Sequence, residues 1–229
     1  MNRYVISFSK QGYSIFTSHL DMLRLFKRAF RRAGIPLSYS QGFNPHPKMS
    51  FAQPLSLGYS AKAELLEFET DAPCTKDQII SSLTNNLAEG VQAVGFGLPP
   101  EGKKSLAALV DSGTYTISFP EPYYGEDYPA LAEDYLAQDK ILALKKSKKS
   151  KTPVQTDIRG KIRSLEVFPD ERDMLAVRLA ADQGSQSNLS PELVISTFSD
   201  FCGLDDMRWK VDVCREKLGF PVDIAIEWL

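Results

Sequence analysis

Redox and metal chemistry find little material in this chain. Cysteine occurs three times in 229 residues, at Cys74, Cys202 and Cys214. The number is odd, the spacing wide and no CxxC pair is present, which argues against a disulfide framework, a zinc ribbon or an iron-sulfur cluster. Buried thiols are the expectation. Histidine is rarer still, with His19 and His46 alone. No apolar run approaches the roughly 20 residues that cross a bilayer, and the opening MNRYVISFSK reads as a strand and not as a signal sequence. What remains is ordinary globular composition, 43% hydrophobic, 10% aromatic and 24% charged, enough for one large domain or two small ones and expected in the cytoplasm.

Acidic residues are also scarce, but only locally. Residues 1–62 carry nine Lys or Arg against the single acid Asp21, and residues 63–143 carry four against fourteen. Residues 144–163 return to eight against one, and residues 164–229 to six against thirteen. A net charge of −2 therefore conceals two basic blocks, and local fields decide whether a polyanion can dock.

The first block falls on a helix. After the strand RYVISFSK and a turn at Gln11 and Gly12, TSHLDMLRLFKRAFRRAG has Ser18 as N-cap, Asp21 three residues on and Gly34 as its stop. At 100° per residue Met22, Leu23, Phe26, Ala29, Phe30 and Ala33 share one side, while Arg24, Lys27, Arg28 and Arg31 gather opposite. A solvated charged face explains such a stripe as well as a ligand does. Phosphate binding is favoured because no acid interrupts the run from Arg24 to Lys48 and arginine, which forks onto phosphate oxygens, outnumbers lysine.

Beyond the helix lies SYSQGFNPHPKMSF, Ser38 to Phe51. Pro45 and Pro47 fix φ on both sides of His46, and Gly42 permits a turn that bulkier residues resist. Tyr39 and Phe43 suit stacking on unpaired bases, and Gln41 and Asn44 suit base edges, the mix used for single-stranded RNA. Core packing of Phe43 and plain turn chemistry are the bland alternative.

The remaining pattern alternates. IPLSYS, KMSFAQPL, AELLEFET and VQAVGFGL read as strands and TKDQIISSLTNNLAEG as a helix. LPPEGKKSLAALVDSG is a connector. TYTISF, ILALKK, the hairpin SLEVFP and MLAVRLAA around PDERD, and RWKVDVCRE then read as strands, with YPALAEDYLAQD and SPELVISTFSDFCG as helices. The expected class is α+β, two tandem ferredoxin-like (split βαβ) units with antiparallel sheets: residues 1–98, a connector 99–112, and a variant unit 113–229. The lysine-rich stretch 145–151 reads as a loop or linker.

SHLDMLRLFKRAFRRAGIPLSYSQGFNPHPKMSFAQPLSLGYSAKAELLEFE, Ser18 to Glu69, closely resembles the signature of a bacterial family described as radical-SAM-linked, a domain of unknown function. The resemblance continues more weakly through SLAALV and TDIRGKIRSLEV, while GFPVDIAIEWL matches nothing in it. It implies a protein that is fused to, or encoded beside, a radical S-adenosylmethionine enzyme. This chain has no CxxxCxxC triad, so the resemblance implies no cofactor of its own and a separate partner carrying the iron-sulfur cluster and S-adenosylmethionine.

Three functional readings follow. The preferred one is an accessory that binds RNA of the tRNA or rRNA class, or presents substrate, using Arg24, Lys27, Arg28, Arg31, Tyr39, Gln41, Phe43, Asn44 and Lys48. The second is a metal-independent ribonuclease or RNA-modifying enzyme in which His19 and His46 converge as acid and base. Its variants give those histidines a metal, with Asp21 or Asn44, or purely structural work. The third is a protein-only adaptor.

Overall fold

The computed structural model describes residues 2–123, 127–145, 152–204 and 208–229. They form a mixed α+β fold dominated by antiparallel pairing, in two compact units: Met1–Asp111 with Arg215–Leu229, and Ser112–Cys214. The sequence reading assigned the last stretch to the second unit, whereas here it packs with the first.

The first unit contains β1 (Asn2–Lys10), α1 (His19–Arg32), β2 (Met49–Phe51), β3 (Ser60–Thr70), α2 (Lys76–Thr84), β4 (Val91–Leu98) and a short α3 (Leu106–Leu109). Strand β1 pairs antiparallel with β3 and with β4, and β2 pairs antiparallel with β3, giving the order β4-β1-β3-β2. Alternation of side chains along the strands separates two faces. Tyr4, Ile6, Phe8, Leu66, Phe68 and Phe96 form one, packed against Met22, Phe26 and Phe30 of α1 and Ile79 and Leu83 of α2. Each of these buried side chains is worth roughly 1.5–3 kcal/mol. Val5 and Leu65 lie on the other face, with Leu106, Val110 and the returning Leu218, Phe220 and Ile226.

Helix α1 begins where its caps demand. Ser18 Oγ accepts the Asp21 amide at 3.2 Å and donates to Asp21 Oδ2 at 2.8 Å, and Gly34 turns the chain away at φ +69°. The expected strand IPLSYS is reduced to isolated bridges, Leu37 to Thr70 and Tyr39 to Pro47. Only Met49–Phe51 of KMSFAQPL is a strand; Pro36 in IPLSYS and Pro54 in KMSFAQPL each lack an amide the ladder needs.

The second unit contains β5 (Ser112–Pro122), α4 (Asp127–Ala137), β6 (Leu142–Lys145), β7 (Val154–Asp157), β8 (Ile162–Pro169), β9 (Met174–Asp182) and α5 (Pro191–Cys202). Its sheet runs β5-β9-β8, and β6 pairs with β7 separately. Phe198 of α5 meets Phe119 and Tyr135 in its core. The lysine-rich loop expected at 145–151 lies, after Lys145, outside the described residues. Strand β10 (Asp212–Gly219) leads back to the first unit, where β11 (Glu227–Trp228) pairs with the edge of β4. That last strand answers to no alternation in the sequence. Among the described residues no helix is long and apolar enough to cross a membrane.

Candidate nucleic-acid interface

The outward face of α1 is cationic. Met22, Phe26, Ala29 and Phe30 are buried, while Arg24, Lys27, Arg28 and Arg31 are exposed. Arg24 is occupied by Asp21, 2.9 Å away, and the Asp21 carboxyl is held below its ordinary range first by the Ser18 hydroxyl and then by Arg24. Lys27, Arg28 and Arg31 have no hydrogen-bond or ion-pair partner among the described residues. Arg32, one residue further round, is spent on Asn86, donating to its side-chain oxygen at 3.3 Å and its carbonyl at 2.5 Å.

The segment after α1 closes into a narrow loop. Ser40 N–H donates to His46 O at 2.9 Å and Lys48 N–H to Ser38 O at 2.8 Å, placing residues 41–45 at the tip. Gly42 holds φ +130°. Phe43 is fully exposed, at 108%, so the alternative in which it packs into the core is excluded. Tyr39 is half-exposed, and Gln41 and Asn44 face solvent. Lys48 sits lower, half-buried and ion-paired to Glu69 at 2.7 Å, which leaves its ammonium less available to phosphate than those on α1.

His46 is braced from both sides. Its N–H donates to Ser40 Oγ at 3.1 Å, and ring Nδ1 lies 3.1 Å from Asn44 O and 3.3 Å from Ser40 Oγ. A carbonyl only accepts, so it is Nδ1–H that makes the Asn44 contact. His46 lines a hollow with Arg3, Lys48, Glu67, Glu69 and Lys103. There Arg3 clamps the connector, donating to Gly102 O at 2.6 Å and Lys104 O at 3.0 Å while pairing with Glu67.

His19 is elsewhere. It packs edge-on against Phe51, centroids 5.4 Å apart, in a small hollow lined by Phe8, Lys10, Met22 and Glu64. Glu64 and the Glu67–Glu69 pair differ in parity along β3, so the two histidines line separate hollows on opposite faces of the strand. Burial holds the His19 pKa below its ordinary value. Among the described residues no group of three or more His, Cys, Asp or Glu side chains is placed to hold a metal.

Residues 3–191 match the family described as uncharacterized protein conserved in bacteria, DUF2344. The chain belongs to this family. Its description names neither a reaction nor a partner. No curated protein matches the chain. Among solved structures, a chain from the crystal structure of a Cbf5-Nop10-Gar1 complex is similar in fold, at TM-score 0.52 and 12% identity over 94% of this chain and 49% of that one. The chain thus spans about half the length of that neighbour, and identity so low shows the fold alone.

Charged residues that the sequence reading of this DUF2344 chain missed lie buried beside the His19 hollow. Arg215, 1% exposed, meets Glu64, 3% exposed, through Nε to Oε1 at 2.6 Å and a second contact from its terminal nitrogen to Oε2. Its remaining donors reach Pro54 O at 3.1 Å and Gln53 O at 3.2 Å. Lys10, 2% exposed, donates to Ile15 O at 3.2 Å and Thr17 O at 2.9 Å. Burial holds its pKa below the lysine range against the opposing pull of Glu64, with a smaller push in the same direction from Arg215. Strand periodicity gave one hint: Glu64 and Lys10 occupy positions where an apolar residue was due. The three cysteines are partly buried thiols outside any disulfide, and burial pushes the Cys202 thiol up to about 11, away from nucleophilic use.

Proposed function

We propose that this chain is a cytoplasmic, RNA-binding accessory that presents RNA to a separate enzyme. The observation carrying this reading is the row Lys27, Arg28 and Arg31, exposed and unpaired on a helix whose other face is anchored in the core. A solvated face needs no such purity of sign; folded proteins ordinarily interleave carboxylates to limit self-repulsion. Phe43, at the tip of the braced loop after that helix, adds a ring available for stacking.

Two finer features belong to the same proposal. The order β4-β1-β3-β2 with α1 and α2 inserted supports reading the first unit as ferredoxin-like. The succession β5, α4, β8, β9, α5, β10 supports a variant second copy, with β6 and β7 inserted. The partner suggested by the resemblance of Ser18–Glu69 is a radical-SAM enzyme, which would hold the cluster and S-adenosylmethionine. A two-histidine nuclease is disfavoured, because His19 and His46 line different hollows and acid-base work on one phosphodiester needs both within hydrogen-bond reach.

The test is a titration of single-stranded RNA binding against salt. Three to four neutralised phosphates give a slope of log affinity on log salt of about −2 to −3. Alanine at Lys27, Arg28 or Arg31 should weaken all sequences alike and flatten the slope by about 0.7 each, and Arg24→Ala should do less because Asp21 already competes for it. A slope near zero in the wild type removes the proposal.

A further inference from the structure

The turn between β1 and α1, Gly12–Phe16, holds two of the most exposed aromatic rings among the described residues. Tyr13 is 93% and Phe16 67% exposed. Residues three apart eclipse in a 3₁₀ helix, so both rings leave the turn on the same side. Neither contributes to a core, yet the backbone beneath them is fixed from several directions.

Lys10 supplies one of these restraints, its buried ammonium donating to the carbonyls of Ile15 and Thr17. Gly58 N–H donates to the same Ile15 carbonyl at 3.0 Å. On the other flank Gln11 N–H donates to Gly90 O at 2.8 Å, and buried Ser14 places Oγ 2.7 Å from Gln11 O. The approach at Gly90 is so close that a Cβ there would lie 2.2 Å from Gln11 O. A buried lysine, a buried serine and a glycine admitting no side chain thus converge on five residues. Their common product is the rigid presentation of Tyr13 and Phe16.

Charge narrows the occupant. Residues 11–20 and 51–61 contain no carboxylate; of the carboxylates that flank the turn, Asp21 is paired with Arg24 and Glu89 adjoins Gly90, and beyond Asp21 the helix carries the unpaired Lys27, Arg28 and Arg31. A helix of 14 residues is about 21 Å long. Its C-terminus lies toward the Asn2 end of β1, where the bridge from Leu37 to Thr70 also sets the base of the Phe43 loop. Along the chain the cations of α1 are thus preceded by Tyr13 and Phe16 and followed by Phe43, whose loop is based at the α1 C-terminal end of the sheet. We propose that Tyr13 and Phe16 are a stacking platform for unpaired bases, extending the RNA path beyond the helix N-terminus. This rests on the RNA-binding reading and gives it a second, sequence-tolerant anchor.

The experiment compares binding of single-stranded RNAs of about 4 and about 16 nucleotides, the range of single-strand site sizes. Tyr13→Ala and Phe16→Ala, substitutions at exposed positions whose melting should match the wild type, are expected to lower affinity for the longer strand about tenfold each. They should leave the salt slope unchanged, because stacking releases no counterion. Phe16→Trp should retain affinity and Phe16→Leu should not, which separates stacking from general apolarity. Wild-type binding that these variants leave intact overturns the platform while the α1 proposal stands. Failure of the wild type to bind RNA overturns both. Variants that bind RNA normally but no longer co-purify with a protein partner overturn the platform in favour of protein docking.

Discussion

His19 and His46 looked alike in the sequence, one at a helix start and one between prolines, and their surroundings make them different groups. His46 was readable: Pro45, Pro47 and Gly42 imply a fixed loop, and the structure adds only that Ser40 and Asn44 lock the ring. His19 was not, because its partner Phe51 lies 32 residues away and nothing local announces the contact. Burial against that ring lowers its pKa, so below the unfolded value near 6.5 the unfolded chain takes up the proton first. The associated stability is complete above pH 6.5 and is lost as pH falls through the folded pKa. Thermal melts between about pH 7 and pH 5 should therefore show a decline that His19→Gln reduces. An unchanged pH profile in that variant would mean that the imidazole is solvated in both states.

At the scale of elements, what could be read depended on whether the signal was local. Helix α1 was legible to within a residue because Ser18, Asp21 and Gly34 state its ends chemically, and VQAVGFGL matched β4 to the residue. Strand β11 was invisible: two residues carry no period, and it is fixed by Trp228 lying over Gly95 and Gly97, where added Cβ atoms would sit 3.2 and 3.1 Å from the indole. The junction of β3 with β10 was equally hidden, since Glu64 and Arg215 are far apart in sequence. Their pair is buried on both sides, so removing one partner strands a charge in low dielectric. Arg215→Met should cost about 3–5 kcal/mol in urea unfolding, whereas Glu64→Leu with Arg215→Met together should cost much less. Equal losses in the single and double variants would show that Arg215 acts through the Pro54 and Gln53 carbonyls instead.

For the whole chain, the sequence divides where its pattern of elements restarts, near residue 113, while the packing divides by which segments share a core. Asp111 ends one stretch of the first unit and Arg215 begins the other, and Asp111 N–H donates to Gly219 O at 3.1 Å. The returning segment brings Leu218, Phe220 and Ile226 to the face of Val5 and Leu65, neutralises Glu64, and covers the edge of β4. A chain ending at Asp111 would expose that apolar face, strand Glu64 and leave β4 open, losses that together exceed the stability of a domain this small. It should lack a cooperative thermal transition. Restoring 215–229 through about six Gly/Ser residues, whose mean span of roughly 13 Å matches the distance from Gly219 back to Arg215 along an extended strand, should return the transition without residues 112–214. Cooperative melting of the truncated chain would show that the helix-side core alone holds the first unit. Failure of the rejoined chain would show that the second unit is needed for the first to fold.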